Sequence, residues 1–502
     1  MKYLTFTIIM FMLASMTSLS GQCLNKAKKQ VAAYEYAEAI PVLEKIVEKN
    51  KKGSDEAVVL LANCYRMLNE DEKAAGYYAM AVEQDSADPI VYFHYGQMLR
   101  TLEKYDEAGT QFNKYATLVP DDKRGKLLAW SCKEIIAWLD HPQDDKPRNV
   151  ASLNSPYADF SPVFYGQGVV FTSERPKENS QDNTFEWTGN PYLGLMFAWT
   201  NGMLSDGEPN FTQPEVYNEN LVQQYHDGNV AFSPDWNIMI LTRTLEERVP
   251  KDNERFRTHF LKMFQSEIED GGWSQLEPFA FNSDSYSVGH PAFSPDGNNL
   301  YFTSDMPGGH GGTDIWVCTM NDGHWSDPQN LGPEVNTVMD EMFPYMDCKG
   351  VLYFASEGHV GFGGLDIFYT SEASGAWEKP TNMMKGINSS YDDFGVAINH
   401  KLEIGLLSSN RPGGQGSDDI YAFSMKPKPK EICGKVIDTK YKPVEGATIF
   451  FLDNESNLVR ILKTDGEGKY CTEVNENTSY TILGKKVSFE DNCLIFEYSE
   501  TM

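Results

Sequence analysis

The sequence predicts a multidomain chain: an all-α solenoid of helical repeats, then an all-β propeller, then a small β-sandwich. Three observations support this fold class. A spacing of 34 residues recurs in the N-terminal helices, five related strand-rich segments follow at spacings of 52–64 residues, and an alternating-strand segment follows a basic linker. With 502 residues, of which 41% are hydrophobic, the chain is long enough to form several buried cores.

The first residues predict a secretory signal peptide spanning 1–21. Lys2 supplies a positive charge, residues 3–14 are mostly apolar, and small polar residues follow. Cleavage after Gly21 is favoured over lipid attachment at Cys23, because Gln22 rather than a small residue precedes that cysteine. No later stretch reaches about 18 consecutive apolar residues, so an exported chain without a transmembrane segment is expected after signal removal.

Residues 22–140 predict a helical repeat domain. Small residues allow paired helices to approach closely, and aromatic residues fill the space between them. Two successive stretches align at a spacing of 34 residues, in which Ala74, Tyr78 and Ala81 correspond to Ala108, Phe112 and Tyr115. An earlier copy carries Ala39, Leu43 and Ile46, and the stretch KLLAWSCKEIIAWLD supplies a capping helix. The pattern resembles the tetratricopeptide repeat, and its fixed period disfavours a plain helical bundle.

Residues 145–425 contain five copies of one strand pattern, the clearest being PAFSPDGNNLYFTSDMPGGHGGTDIW from Pro291. Each copy is preceded by an asparagine, at Asn154, Asn218, Asn282, Asn336 and Asn388. A unit of about four strands cannot bury both faces of its sheet alone, but a ring of such units can. The copies therefore predict a β-propeller, and FSPDG…LYFTS…GGTDI resembles the TolB-type, WD40-like repeat.

The ends of this region predict a closed ring. The fifth copy stops at DIYAFS without the tryptophan strand that follows other copies, whereas KPRNVASLNS at 146–155 resembles the end of such a strand. The segment that precedes the first copy is therefore expected to complete the last blade, which removes an open sheet edge. Five blades are favoured, and six are possible.

The glycine-rich tails GGHGGTDI, GFGGLDIF and GGQGSDDI have the composition of phosphate-binding loops. A dinucleotide loop needs a third glycine and a following helix, but an aspartate and a strand follow here. We expect the glycines to permit left-handed backbone and the aspartates to bond loop amides. The aspartates recur once per copy, at Asp314, Asp366 and Asp419. Together with the five asparagines, they are predicted to be structural repeat positions rather than a reactive site.

No catalytic, metal-binding or cofactor-binding residues are predicted. The nine histidines are scattered, and neither H-E-x-x-H nor G-x-S-x-G occurs. The stretch DGEGKY at 465–470 lacks most ligands of a calcium loop and predicts a turn. Trp273, Trp325 and Trp377 recur at one blade position, which favours packing between blades over a sugar platform. The net charge of −29 disfavours nucleic-acid binding.

Residues 431–502 follow the stiff linker KPKPK and predict the β-sandwich. Alternating strands are interrupted by KPVEGA and TDGEGKY. The pattern resembles the carboxypeptidase regulatory-like domain, a sandwich of prealbumin type. The eight cysteines permit disulfides in an exported chain, but their spacing does not fix the pairing.

The order of these three modules behind a signal peptide resembles the PorE-like, OmpA-family envelope proteins of Bacteroidetes. The resemblance implies a location in the periplasm or on the periplasmic face of the outer membrane. It also implies protein partners in the type IX secretion and gliding machinery. The family's C-terminal OmpA-like domain is absent, so peptidoglycan anchoring is not carried over. The leading hypothesis is a non-catalytic scaffold for protein–protein contacts, and the alternative is a glycan- or peptidoglycan-binding module; an enzyme is disfavoured.

Overall fold

The structure is a computed structural model that describes residues 22–49, 53–85, 87–139, 146–177, 184–185, 187–203, 209–223, 225–245, 260–425, 430–438, 440–453, 456–474, 480–486 and 492–496. The predicted signal peptide 1–21 lies outside the described residues. Within them, no helix has the length and apolar character needed to cross a membrane. The contacts divide the chain into two units, Met1–Met425 and Lys426–Met502, and each is described by itself.

The N-terminal part of the first unit is a helical repeat stack, as the sequence predicts. Its helices are α1 (22–32), α2 (Tyr36–Glu48), α3 (Ser54–Met67), α4 (Asp71–Val82), α5 (Pro89–Thr101), α6 (Tyr105–Leu118) and α7 (Lys123–Trp138). Ala74, Tyr78, Ala108 and Phe112 of the predicted repeat are fully buried. A Cβ atom added at Gly96 would lie 2.7 Å from the Phe112 ring, so only glycine permits this approach of α5 to α6.

Five antiparallel sheets follow in the described part of the first unit. Blade 1 contains β2 (Asp159–Tyr165), β3 (Gly168–Ser173), β4 (Gly194–Met203), β5 (Pro209–Phe211) and β6 (Glu215–Val216). Blade 2 contains β7 (Asp227–Phe232), β8 (Ile238–Arg243), β9 (Lys262–Glu269), β10 (Gly272–Trp273) and β11 (Glu277–Pro278). Blade 3 contains β12 (Val288–Phe293), β13 (Asn299–Ser304), β14 (Asp314–Asn321), β15 (His324–Trp325) and β16 (Gln329–Asn330).

Blade 4 contains β17 (Glu341–Met346), β18 (Val351–Ser356), β19 (Asp366–Ala373), β20 (Ala376–Trp377) and β21 (Thr381–Asn382). Blade 5 contains β22 (Asp393–Asn399), β23 (Ile404–Ser409), β24 (Asp419–Ser424) and, from the segment before blade 1, β1 (Arg148–Asn149). In blades 1–4 the outermost position is shared by two short strands that both pair with the third strand. Strands this short are poor templates for pairing with another chain, which protects the sheet edges.

The blades form a closed ring. The innermost strands β2, β7, β12, β17 and β22 contact one another in sequence, and β22 contacts β2. The β1 strand closes blade 5 by pairing antiparallel with β24, with Arg148 opposite Ala422 and Asn149 opposite Tyr421. The sequence therefore predicted the favoured blade number and the closing segment correctly for the residues that the structure describes.

The recurring tryptophans pack between blades, as expected. The Trp273 Nε1 atom donates to the hydroxyl of Tyr217 at the edge of blade 1, at 2.9 Å. The Trp325 Nε1 atom lies 3.3 Å from Gln265 Oε1 in blade 2. The Trp377 ring contacts Tyr301 of blade 3, with ring centroids 6.2 Å apart. Each ring thus fills space against the preceding blade.

The second unit is a small β-sandwich. One sheet pairs β25 (Lys430–Lys435) with β28 (Lys469–Val474), and the other has the order β27 (Leu458–Lys463), β26 (Thr448–Leu452), β29 (Tyr480–Lys485) and β30 (Asn492–Phe496). Ile449, Phe451, Tyr480 and Ile482 form its core. A disulfide joins Cys433 to Cys471 across the first sheet. Asp465 Oδ1 accepts from the amides of Glu467 and Lys469, both at 2.8 Å, so DGEGKY forms a turn.

Candidate binding sites

Four of the five predicted asparagines form one kind of lock on the third strand of a blade. The Asn388 side chain accepts from the Ile367 amide at 2.8 Å and donates to the Ile367 carbonyl at 2.9 Å. Asn154, Asn282 and Asn336 make the same pair of bonds to Ile420, Met263 and Ile315. Each asparagine gives the strand amide an acceptor where the outermost strand ends. It is also a second donor to the carbonyl, which already accepts from a backbone amide, as Ile367 does from Met383 at 3.0 Å.

Asn218 has a different role. Its Oδ1 atom accepts from the Asn220 amide at 3.0 Å and caps a single 3₁₀ turn at Glu219–Leu221. In blade 1 the Leu195 carbonyl accepts from the backbone amide of Tyr217 at 2.9 Å, just as the Ile367 carbonyl of blade 4 accepts from Met383 at 3.0 Å, but Asn218 does not add a side-chain bond to it among the described contacts. Asn218 therefore has the same sequence spacing as the other asparagines but makes a different contact in blade 1.

The three predicted aspartates stand at the starts of the third strands and accept from amides of the glycine-rich loops. Asp366 accepts from Phe362 and Gly363, both at 2.9 Å, and Asp314 accepts from His310 at 2.5 Å. Asp419 accepts from the amides of Gln415 and Gly416. A Cβ atom at Gly361 would lie 2.3 Å from Asp366 Oδ2, so the glycine is needed for the carboxylate to reach the loop.

A second set of buried carboxylates was missed by the sequence reasoning. Glu341 accepts from the amide and hydroxyl of Thr337 and from Ser356 Oγ, at 2.6–2.7 Å. Asp159 and Asp393 make equivalent bonds to Ser155 and Ser389. The available signal was an acid five positions after three of the four lock asparagines, with Ser or Thr directly after the asparagine, in NSPYAD, NTVMDE and NSSYDD.

The loop of blade 4 docks on the helical repeats. Phe362, which takes the place held by His310 in blade 3 and Gln415 in blade 5, is 1% exposed within a core that includes Phe112, Leu128 and Ile135. Arg100 of α5 donates to the Gly361 carbonyl at 2.9 Å, and the Tyr105 hydroxyl donates to the Phe362 carbonyl at 3.1 Å. Arg100 also lies 3.8 Å from the buried Asp366 carboxylate. The helices thus hold a loop of their own chain.

The turns between paired helices supply the rest of this contact. Tyr34, Asn69 and Glu103 occupy matching turns and all have left-handed backbone, with φ of 62°, 56° and 57°. Tyr34 stacks on Trp187 of the blade 1 insertion, with centroids 5.7 Å apart, and the indole donates to the Met67 carbonyl at 3.0 Å. Glu103 lies 3.5 Å from Lys385 of blade 4. The insertion that disrupts the blade pattern therefore serves as a second attachment to the helices.

A small polar cavity of about 120 Å³ lies at this junction, lined among others by Arg66, Arg100, Asp71, Glu357 and Asp392. Burial raises the pKa of Glu357 to about 8, and the neighbouring Asp340 and Asp392 add to this effect. Burial likewise raises the pKa of Asp366 to about 7 and that of Asp418 to about 7. No group of three or more His, Cys, Asp or Glu side chains among the described residues is arranged to hold a metal ion.

A groove of about 840 Å³ runs between α7 and the edges of blades 3 and 4. Its walls include Trp130 and Trp138 of α7 and His359 of blade 4. Trp130 is 48% exposed. His359 is held rather than solvated, because its Nε2 atom lies 2.9 Å from the Val335 carbonyl and its ring packs on Phe368. The groove is therefore a largely aromatic surface with charged side chains such as Lys123, Glu134 and Lys379 along it, and His359 forms a fixed part of its wall.

An axial pocket of about 340 Å³ lies inside the ring and is lined by residues from all five innermost strands. It extends to the turns between the first and second strands, including Pro234, Trp236 and Pro295. The helices contact the loops at the other ends of these strands. The axial pocket therefore faces away from the helical repeats, and its lining contains no Asp, Glu, Lys or Arg among the described residues.

Comparisons with known proteins identify one module. Residues 30–93 match the tetratricopeptide repeat family. No curated protein matches the chain.

Several solved structures share parts of the fold at low similarity. A glycosyl hydrolase from Bacteroides ovatus is 14% identical and covers 56% of this chain and 94% of its own, with a TM-score of 0.33. A family 117 glycoside hydrolase from Zobellia galactanivorans is 10% identical over 56% and 88%, with a TM-score of 0.32. A puromycin-hydrolyzing peptidase from Mycobacterium tuberculosis is 12% identical over 68% and 61%, with a TM-score of 0.29. At these scores the similarities carry no argument about activity.

The lock asparagines should differ measurably from Asn218. Asn388→Ala leaves the buried amide of Ile367 without its partner and removes one of the two donors to the Ile367 carbonyl, which keeps its bond from the Met383 amide. We expect it to lower the free energy of unfolding by about 2–3 kcal/mol. Asn218→Ala removes one exposed cap bond and should cost about 1 kcal/mol or less. Urea unfolding of the two variants measures both values. Equal losses would contradict the distinction.

Phe362 should anchor the helices to the propeller. Phe362→Ala leaves a cavity in the shared core, and we expect a loss of about 3–5 kcal/mol in unfolding free energy. Hydrogen exchange at Gly361 and Gly363 should accelerate in the same variant. Gln415→Ala, at the matching exposed position of blade 5, is the control and should cost less than about 1 kcal/mol. Unchanged exchange at the blade 4 loop would show that Phe362 is not the anchor.

Glu357 should make stability depend on pH. The pKa of Glu357 is about 8 in the folded protein, whereas that of an unfolded glutamate is about 4.3. Between these two pH values the folded state binds a proton that the unfolded state has lost. The free energy of unfolding therefore falls as the pH rises through this range. Glu357→Gln removes this titration. The stability of the variant relative to the parent should therefore increase from about pH 4.5 to about pH 8 and then level off. Glu107→Gln, an exposed change on α6, should give a flat difference; a flat difference for Glu357→Gln would refute the assignment.

Proposed function

We propose that the protein is a non-catalytic scaffold of the cell envelope that binds other proteins through its helical repeats and propeller. The observation that carries this proposal is the groove beside α7. Its walls come from both modules, and Trp130 and Trp138 give it the large aromatic surface that dominates protein interfaces. Helical repeats commonly serve as extended protein-binding surfaces, and here the docked blade 4 loop holds the groove walls in place.

The location proposed is the periplasm or the periplasmic face of the outer membrane. The Cys433–Cys471 disulfide supports it, because structural disulfides persist in oxidising compartments. The sequence resemblance to PorE-like envelope proteins supports partners in the type IX secretion and gliding machinery. This is the finer part of the proposal, and it rests on the module order alone.

The axial pocket supports the non-catalytic part of the proposal. Glycoside hydrolysis normally uses a pair of carboxyl groups that flank the scissile bond. The lining of the axial pocket offers serine, asparagine, histidine, proline and aromatic side chains instead. Glu341 and Asp366 bond to neighbouring backbone and hydroxyl groups through both carboxylate oxygens, so these oxygens are already used in structure.

Photo-cross-linking in the source cells tests the scaffold. A benzoylphenylalanine placed at Trp130 should cross-link a protein of the envelope fraction, and Trp138→Glu in the same chain should abolish that product. The matched control places the cross-linker at Met80 of α4, which is 51% exposed against 48% for Trp130. Mass spectrometry identifies the captured protein.

Three results would overturn the proposal. The first is an identical set of products from positions 130 and 80, and the second is capture of soluble metabolic proteins alone. The third is sedimentation of the purified chain with peptidoglycan that persists in Trp138→Glu, which would favour the glycan-binding alternative. Fractionation of the cells checks the location independently, since recovery in the cytoplasm would contradict export.

A further inference from the structure

One residue from each blade lines the axial pocket at the point where the innermost strand bulges, and these five residues are called the waist here. Every innermost strand has a register shift against its neighbour near this point. The residues at the shifts are Ser161, Asn229, His290, Phe343 and Gly395. Ser161, His290 and Phe343 have left-handed backbone, with φ of 51°, 52° and 53°, which is unfavourable for non-glycine residues. The bulges thus fix five unlike residues around one ring.

The waist has a polar side and an apolar side. On the polar side, the Asn229 amide nitrogen donates to Ser161 Oγ at 2.6 Å, and Asn229 Oδ1 has no partner among the described residues. His290 Nδ1 accepts from the Phe343 amide at 3.4 Å, so the proton of the neutral ring is on Nε2. Burial lowers the pKa of His290 to about 4, which keeps the ring neutral. The apolar side is Phe343, whose ring stacks on His290 at 4.0 Å, and Gly395.

The rest of the axial pocket is lined mainly by aromatic and proline side chains. They include Phe164, Phe232, Trp236, Pro291 and Pro344. The Trp236 ring is supported by Tyr165, with centroids 4.8 Å apart. Rigid aromatic and proline walls with a few fixed polar groups are typical of preformed binding pockets.

Charge and hydrogen-bond capacity restrict the ligand. No lining residue among those described is charged at neutral pH, so a charged ligand would lose hydration without gaining an opposite charge. A sugar ring would bury several hydroxyl groups against walls that offer few polar partners, and each unpaired hydroxyl is costly. A flat aromatic ring with one polar atom uses the aromatic walls and the few polar groups together.

We propose that the axial pocket receives an uncharged aromatic side chain, tryptophan or tyrosine, from an extended segment of a partner protein. This inference rests on the proposed scaffold function and names the chemistry of a second contact, on the face opposite the helices. The inserted ring packs beside Phe343 and the proline walls, and its N–H or O–H bonds to Asn229 Oδ1. Such a buried aromatic anchor is the usual hot spot of a protein interface.

Fluorine NMR with N-acetyl-5-fluorotryptophanamide tests the inference on the full chain. The probe signal should broaden saturably, and N-acetyltyrosinamide should displace it. Val163→Trp and, on another blade, Met346→Trp place an indole in the pocket and should weaken binding at least tenfold. Val163→Ile is the matched control and should leave binding within twofold. Thermal unfolding checks that at least one filled variant is folded.

Each alternative result is decisive. Absence of broadening, or broadening that persists in a folded filled variant, overturns the inference. Displacement by glucose or xylose at concentrations similar to those of N-acetyltyrosinamide would assign the pocket to a carbohydrate and also overturn it. Cross-linking at Trp130 is independent of the pocket, so loss of one result with retention of the other separates this inference from the proposed function.

Discussion

Closure of the ring is the constraint on which the rest of the first unit depends. Arg148 and Asn149 pair with β24, and Asn154 then locks the Ile420 backbone of the same blade. The chain that leaves α7 must therefore enter the propeller at its last blade before it builds the first. The helices contact the loop of blade 4 and the insertion of blade 1, which lie on either side of the blade that the entering strand completes.

The blade 4 loop shows how one repeat acquires a separate role. Blades 3, 4 and 5 share the glycines and the aspartate that shape the loop, and they differ at its tip. Phe362 at the tip enters the apolar space between α5, α6 and α7, while Arg100 satisfies the adjacent carbonyl. Burial of an arginine is costly without a partner, and the nearby Asp366 carboxylate offsets that cost. A loop geometry shared by three blades thus becomes a specific contact with the helices in blade 4, where phenylalanine occupies the tip.

The sequence predicted what repeats and missed what does not. Period and alternation identified the helical stack, five blades, the closing strand and the packing of the tryptophans. Asn218 has the spacing of the lock asparagines, but its side chain caps the turn at Asn220 and does not bond to the third strand of blade 1, a difference that spacing does not reveal. Contacts such as Arg100 with Gly361 join residues far apart in the chain and carry no periodic signal. The five waist residues are of a different type in each blade, so aligning the copies does not identify them as a common position.

That difference bears on function. Residues that make the same contact in several blades recur along the sequence, as the lock asparagines Asn154, Asn282, Asn336 and Asn388 do. A ligand on the axis meets all five blades at once and is not itself five-fold symmetric, so residues that contact it need to differ. Ser161, Asn229, His290, Phe343 and Gly395 satisfy this condition at a place where the backbone departs from regular pairing. In this propeller, binding is therefore expected at the axial positions where the repeat pattern breaks. The recurring glycines and aspartates instead shape the loops of the blades.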